Sequence, residues 1–317
     1  MKDMRKLISI AAALLTACAV SFAQEDASQT AALSFVQFGK DAAADAMGGA
    51  SLASSSSLAW ASFTNAAAMP FSSSKGDVAV SYQLWQPTST HYVSLGGGFN
   101  IKDKVGIGFG ATAGIDGKYT GTSDSGQSLK DFSPMDIQAN VGVAYRFVEW
   151  VSIGVNGRMA MEKVADGYTL SSFMADAFVM GGYGDFKAAL GVQNIGTKAS
   201  YGKSSDVDTK YPVPASAALG LSYAPVFAEK HALEVNADMR YSLCGLGFGA
   251  AVGAGYTYNG MVSVRGGYCY GGSAIASHAS VGLGFCFAGF HLDACYLLAA
   301  KSSPIANTIS VTLGAKF

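Results

Sequence analysis

Apolar side chains recur at every second position through most of this 317-residue chain. Val105, Ile107, Phe109, Ala111, Ala113 and Ile115 are separated by Gly106, Gly108, Gly110, Thr112 and Gly114. Met135, Ile137, Ala139, Val141, Val143, Tyr145 and Phe147 repeat the pattern around Asp136, Gln138, Asn140, Gly142, Ala144 and Arg146. Leu233, Val235, Ala237, Met239 and Tyr241 interleave with Glu234, Asn236, Asp238 and Arg240. Successive side chains of a strand face opposite sides, so each stretch has one apolar face and one small or polar face. A helix would scatter the four polar residues around its circumference.

Half of the residues are hydrophobic, but only 14% are charged, and there are 39 glycines. Soluble domains carry roughly 25% charge. The net charge of −1 argues against a nucleic-acid surface. After Ala23 no apolar run is long enough for a transmembrane helix. Strands with lipid-facing apolar sides remain, which predicts an all-β fold, a transmembrane antiparallel barrel of about fourteen strands. The segments are 77–85, 91–100, 104–115, 135–147, 151–162, 172–183, 186–196, 213–223, 231–241, 246–258, 261–271, 276–287, 290–298 and 307–317. The sixth fits least well, because Phe178 and Met180 fall on its polar face.

The connections alternate in length. Asn259-Gly260 is a two-residue hairpin signal; Gly184-Asp185, Ala288-Gly289 and 148–150 are equally short. Longer loops such as 116–134 and 197–212 lie between them, with 224–230 an exception on the short side. Short periplasmic turns and long outer loops are the habit of outer-membrane barrels. Tyr145, Phe147, Tyr223, Tyr256, Tyr258, Phe285, Phe287, Phe290 and Phe317 then form an outward aromatic girdle at the periplasmic ends. A soluble β-sandwich would not explain this rhythm.

Residues 1–23 read as a secretory signal: Lys2, Arg5 and Lys6, an apolar run from Leu7 to Val20, and Ser21-Phe22-Ala23 before the cut. Leu15-Thr16-Ala17-Cys18 also resembles a lipoprotein box, so lipidation of Cys18 stays open. Residues 24–75 are small and serine-rich, whereas 76–317 make the barrel. Met47-Gly48-Gly49-Ala50 and Asn65 mark a segment that either plugs the lumen or forms a periplasmic linker.

Ser34-Phe35-Val36-Gln37-Phe38-Gly39 followed by Asp45-Ala46-Met47-Gly48-Gly49-Ala50 resembles the start of the PorV/PorQ family. Further similarities are Gly191-Val192-Gln193-Asn194-Ile195-Gly196, Tyr211-Pro212-Val213-Pro214, Val264-Arg265-Gly266-Gly267-Tyr268 and Gly289-Phe290-His291-Leu292-Asp293. Asn65-Ala66-Ala67-Ala68 stands where the family has Asn-Pro-Ala-Gly. The resemblance implies a fourteen-stranded barrel related to FadL, the long-chain fatty-acid transporter. It implies the outer membrane of a Gram-negative, Bacteroidota-like bacterium. Some members of the family serve type IX secretion, so exported cargo proteins and secretion components would be partners alongside outer-membrane lipid.

No catalytic, metal or cofactor motif accompanies this pattern. Cys244, Cys269, Cys286 and Cys295 lack metal-ligand spacing, and Cys286 should oppose His291 across the last hairpin. His291 and Asp293 share a face, which is an acid–base pair or two lumen polar groups. Parity turns Arg146, Arg158, Glu234, Asp238, Arg240, Arg265 and Asp293 inward, because a charge facing lipid at mid-depth costs on the order of 2–4 kcal/mol. Their mixed signs suit ion pairs bracing the lumen, or a polar track for a ligand. Three functions follow: export or surface attachment of proteins, favoured by the resemblance; a FadL-like conduit for hydrophobic small molecules, which requires an apolar pocket and an opening between strands; or a structural barrel.

Overall fold

The computed structural model describes residues 31–123, 125–165, 167–201, 209–272 and 275–317. The signal segment, Cys18 and the first residues after Ala23 lie outside them. Fourteen strands close a single antiparallel barrel: β1 Gly76–Trp85, β2 Thr90–Ile101, β3 Val105–Ile115, β4 Met135–Val148, β5 Val151–Ala165, β6 Tyr168–Tyr183, β7 Phe186–Gly196, β8 Ser216–Tyr223, β9 His231–Ser242, β10 Phe248–Tyr258, β11 Val262–Tyr270, β12 His278–Phe287, β13 Phe290–Ala299 and β14 Ile309–Lys316. Each pairs with its neighbour in sequence, and β1 meets β14 from Asp77↔Lys316 to Leu84↔Ile309. The expected strand count and antiparallel order are what the chain adopts, because period-two alternation over 8–16 residues has no other way to bury one face and present the other to lipid.

The outward rows are apolar and exposed, among them Val80, Leu95, Phe109, Val141, Val252, Leu283 and Leu313. The nine girdle aromatics are all exposed too, at the end opposite the long loops. Short turns mark that end as the expected periplasmic end, and the long loops mark the other as the outer end. The 116–134 loop carries its own two-stranded hairpin, Tyr119–Thr122 against Ser128–Phe132. The long inner turn 224–230 is also a small hairpin: Val226 and Phe227 pair back onto Ala232 and His231, with Ala228 and Glu229 at positive φ. Cys286 does face His291.

The lumen is filled by the chain's own N-terminal segment. It descends from the outer end, where Ala32 N–H donates to Pro212 O at 2.9 Å and Leu33 N–H to Glu162 Oε2 at 3.3 Å. A one-turn helix, α1 Ala42–Asp45, lies halfway down, and 3-10 turns at Leu58–Trp60 and Ala66–Phe71 lie below it. At the periplasmic end, Ser72 O accepts from Asn100 Nδ2 at 2.8 Å before the chain enters β1. The glycines between apolar residues on β2–β5 make room for this segment. A Cβ on Gly98 would strike the Leu58 carbonyl, and one on Gly154 the Ala67 nitrogen.

The same segment explains the irregular sixth strand. Phe178 and Met180 do face inward, where they pack with Leu52, Ala53, Ala67 and Ala68. Alternation marks which face points in; whether that face meets water or a plug depends on what fills the lumen. Phe317 closes the barrel: its carbonyl accepts from Lys75 and Gly76 N–H, and its ring lies 6.3 Å from Phe99. Deleting Phe317 should reduce the amount of heat-modifiable barrel in membranes, and unchanged amounts would exclude a role for this residue in insertion.

Candidate functional site

The N-terminal segment is anchored by buried polar groups. Asp238 Oδ2 accepts from Ser51 and Leu52 N–H at 2.8 and 3.1 Å and pairs with Arg240 at 3.4 Å. Glu234 accepts from Ser54 Oγ at 2.6 Å. Arg265 pairs with Asp293 at 2.7 Å. His291 lies between Asp293 and Asp77, at 3.2 and 3.3 Å, and Asp77 in turn accepts from Ala59 N–H. Arg146 donates to Pro70 O at 3.2 Å and stacks 4.4 Å from the Phe71 ring. Arg158 donates to Phe63 O at 2.9 Å and pairs with Asp176 at 3.0 Å. Arg146, Arg158, Glu234 and Asp238 thus bond the plug directly, whereas Arg240, Arg265 and Asp293 pair with wall residues, in separate clusters and not in one continuous track. Asp176 escaped the sequence reading, although the parity that turns Phe178 inward turns it inward as well.

Of the marked plug residues, Met47, Gly48 and Ala50 are buried. Gly48 has φ +71°, and a Cβ there would lie 2.7 Å from Tyr268 O. Gly49 is different: φ is +78°, but open space surrounds it, so size alone does not exclude a side chain there. Asn65 caps the last 3-10 turn, accepting from Ala67 N–H at 2.9 Å and donating to Leu52 O at 2.7 Å.

Beside α1 the segment leaves a cavity of about 190 Å³ that reaches into the outer half of the lumen. Val36, Phe38, Trp60, Phe63, Trp85, Leu297 and Ile305 give it an apolar side. Lys40, Asp45, Arg158, Arg240, Ser242 and His278 give it polar and charged lining as well. The Phe38 and Trp85 rings pack at a 54° tilt with centroids 4.3 Å apart. A second cavity of about 220 Å³ lies below, among Ser54, Ser56, Glu234, Arg265, His291 and Lys316. Asp41 and Ser57, hydrogen-bonded to each other, line both. Burial raises the carboxyl of Asp41 above the usual carboxylate range.

The upper cavity reaches the wall at Gln193, Asn194 and Ser216, where strand pairing fails. The β6–β7 register slips between Ala175↔Ile195 and Ala177↔Val192, leaving Asp176 opposite two residues. Asn194 takes φ +55°, and its N–H donates to Asp176 Oδ1 at 2.7 Å instead of to a strand carbonyl. The β7–β8 ladder stops at Gln193↔Ser216. Pro212 and Pro214 follow outward and have no N–H to continue it. Asn194 Nδ2 bridges to Pro214 O at 3.2 Å. Backbone pairing resumes at Ala175↔Ile195 and at Ala199↔Tyr211, so the break is short and side chains bridge it.

Ring nitrogens of the four histidines bond carboxylates, tyrosine hydroxyls or a carbonyl; none bonds a serine among the described residues. No family model and no curated protein sequence matches the chain. Solved structures do. The Ralstonia pickettii toluene transporter TbuX superposes with a TM-score of 0.60 at 11% identity, over 88% of this chain and 98% of that one. The CymD monoaromatic hydrocarbon channel gives 0.59 at 13% identity, again over 88% and 98%. A Pseudomonas aeruginosa FadL homologue gives 0.51 at 11%, over 88% and 98%. The likeness is one of fold: this chain shares the closed barrel architecture of these outer-membrane transporters and channels.

Proposed function

We propose that this barrel conducts compact apolar molecules across the outer membrane. The carrying observation is the cavity of about 190 Å³ with an apolar side, which reaches the outer half of the lumen above the more polar second cavity. An apolar protein cavity of about 150 Å³ holds benzene, so a molecule of about one ring fits. The weakly paired wall beside Asn194 gives such a molecule a route between strands. The shared fold with hydrocarbon channels supports this reading. It supports the export reading less: handling of exported proteins through PorV/PorQ-like contacts rests on short sequence similarities, and the outer hairpin Tyr119–Thr122 is the surface it would use.

Gly249 lines the cavity, and its nearest neighbour for a Cβ is Tyr270 O at 3.3 Å. A tryptophan at 249 should occupy the ligand's space. Uptake of p-xylene by vesicles holding the Gly249→Trp barrel should fall at least about tenfold, equivalent to roughly 1.4 kcal/mol of lost binding. Equal uptake by both barrels, at equal amounts of folded protein, would refute the conduit.

A further inference from the structure

We propose that the side-chain amine of Lys40 captures apolar aldehydes entering the upper cavity, by reversible covalent bond formation. The proposal rests on the conduit reading, because solutes must reach this cavity. Lys40 is the one buried lysine among the described residues, at 8% exposure. Its Nζ donates one hydrogen bond, to Phe35 O at 3.1 Å, and lies 5.9 and 5.8 Å from the Phe38 and Tyr92 rings. No carboxylate pairs with it at ion-pair distance among the described residues. An ammonium in such a place has lost its hydration for two ring faces and one carbonyl, which favours the neutral, nucleophilic form.

Burial, helped by the charge of Arg158, pushes Lys40 down to about 7, against the opposing pull of Asp45 and Asp136. Asp45 lines the same cavity. Its carboxyl packs where a Gly39 side chain would sit, one residue before the lysine, and is held by Gln83 Nε2 at 3.2 Å. Burial and the nearby Asp41 raise it to about 7. An amine and a carboxylic acid thus line one cavity.

The chemistry balances without an oxidant or reductant. The Nζ lone pair attacks the aldehyde carbon, forming the C–N bond as the C=O π bond breaks, and one proton of the amine passes to the carbonyl oxygen. The resulting carbinolamine loses its hydroxyl as water, with the Asp45 carboxyl supplying a proton and regaining one from nitrogen. The products are an imine and one water, and hydrolysis reverses the step. Aldehydes would therefore be held back while hydrocarbons of the same size pass.

Purified barrel in detergent can be treated with benzaldehyde and cyanoborohydride at pH 7, and the reduced adducts mapped by mass spectrometry. Glyoxylate, a charged aldehyde, serves as the reference for solvent-facing lysines. At pH 7 a lysine with pKa near 7 holds about 10³-fold more free amine than an ordinary one, so benzaldehyde should label Lys40 at least about tenfold faster than any other lysine. Glyoxylate should show no such preference. The benzaldehyde rate at Lys40 should level off above about pH 7, while rates at exposed lysines keep climbing toward about pH 10.4. Lys40→Arg should lose the fast adduct but keep its heat-modifiable mobility. Labelling of Lys40 no faster than the other lysines, or equally by glyoxylate, overturns the proposal. A parallel p-xylene binding assay separates the two claims: hydrocarbon bound without the Lys40 adduct sinks the aldehyde site alone, and neither signal sinks both.

Discussion

Replacing Arg158 with methionine should lower the unfolding free energy of the barrel by about 3–5 kcal/mol, the usual result of leaving one partner of a buried ion pair alone. Arg158 and Asp176 side chains are 2% and 0% exposed, so water cannot solvate the carboxylate that remains. The loss extends beyond one pair. Arg158 also holds Phe63 O of the plug and the Asn194 side chain, while Asp176 holds the Asn194 N–H where the wall lacks backbone pairing. The variant should therefore also leak small polar dyes past β6–β7. Urea titration in vesicles reads the first effect and dye release the second. Removing both charges, with Arg158→Met and Asp176→Leu together, should recover part of the stability, because no unpaired charge then stays buried although Phe63 O and the Asn194 N–H still lose their partners. A single variant as stable as the parent would show that the pair is idle.

Gly267→Leu should expel the upper plug while leaving the barrel closed. A Cβ on Gly267 would run into the backbone of Met47 and Gly48, and neither backbone can yield as a side chain tip does. Overpacking of this kind costs about 1–3 kcal/mol, and the plug is the softer partner because the wall is tied by strand pairs on both sides. Single-channel recordings should show larger and noisier conductance, with heat-modifiable mobility retained. Gly49→Leu, facing open space, should leave conductance near that of the parent; its strain comes only from φ. Equal conductance for Gly267→Leu would mean the plug does not block the lumen.

The sequence by itself determined the wall. Fourteen alternating segments, their turn lengths and the outward aromatic row were legible because a two-residue period is a local property and lipid accepts only one kind of face. It also determined that charges such as Arg240 and Asp293 point inward. What those charges touch was decided by tertiary structure. Arg158 finds Asp176 across one strand pair but Phe63 from a segment 95 residues away, and no local pattern encodes that second partner. Phe178 and Met180 looked misplaced until Leu52 and Ala67 were seen to cover them. The cavity is equally non-local: it is the space left between Trp60 and Phe63 of the plug and residues such as Trp85 and Leu297 on the wall. The break beside Asn194 needs the prolines of one segment to meet the bulge of another. Alternation reports which way a side chain faces, whereas plug, cavity and seam depend on distances between segments far apart in the chain, and those are settled only by packing.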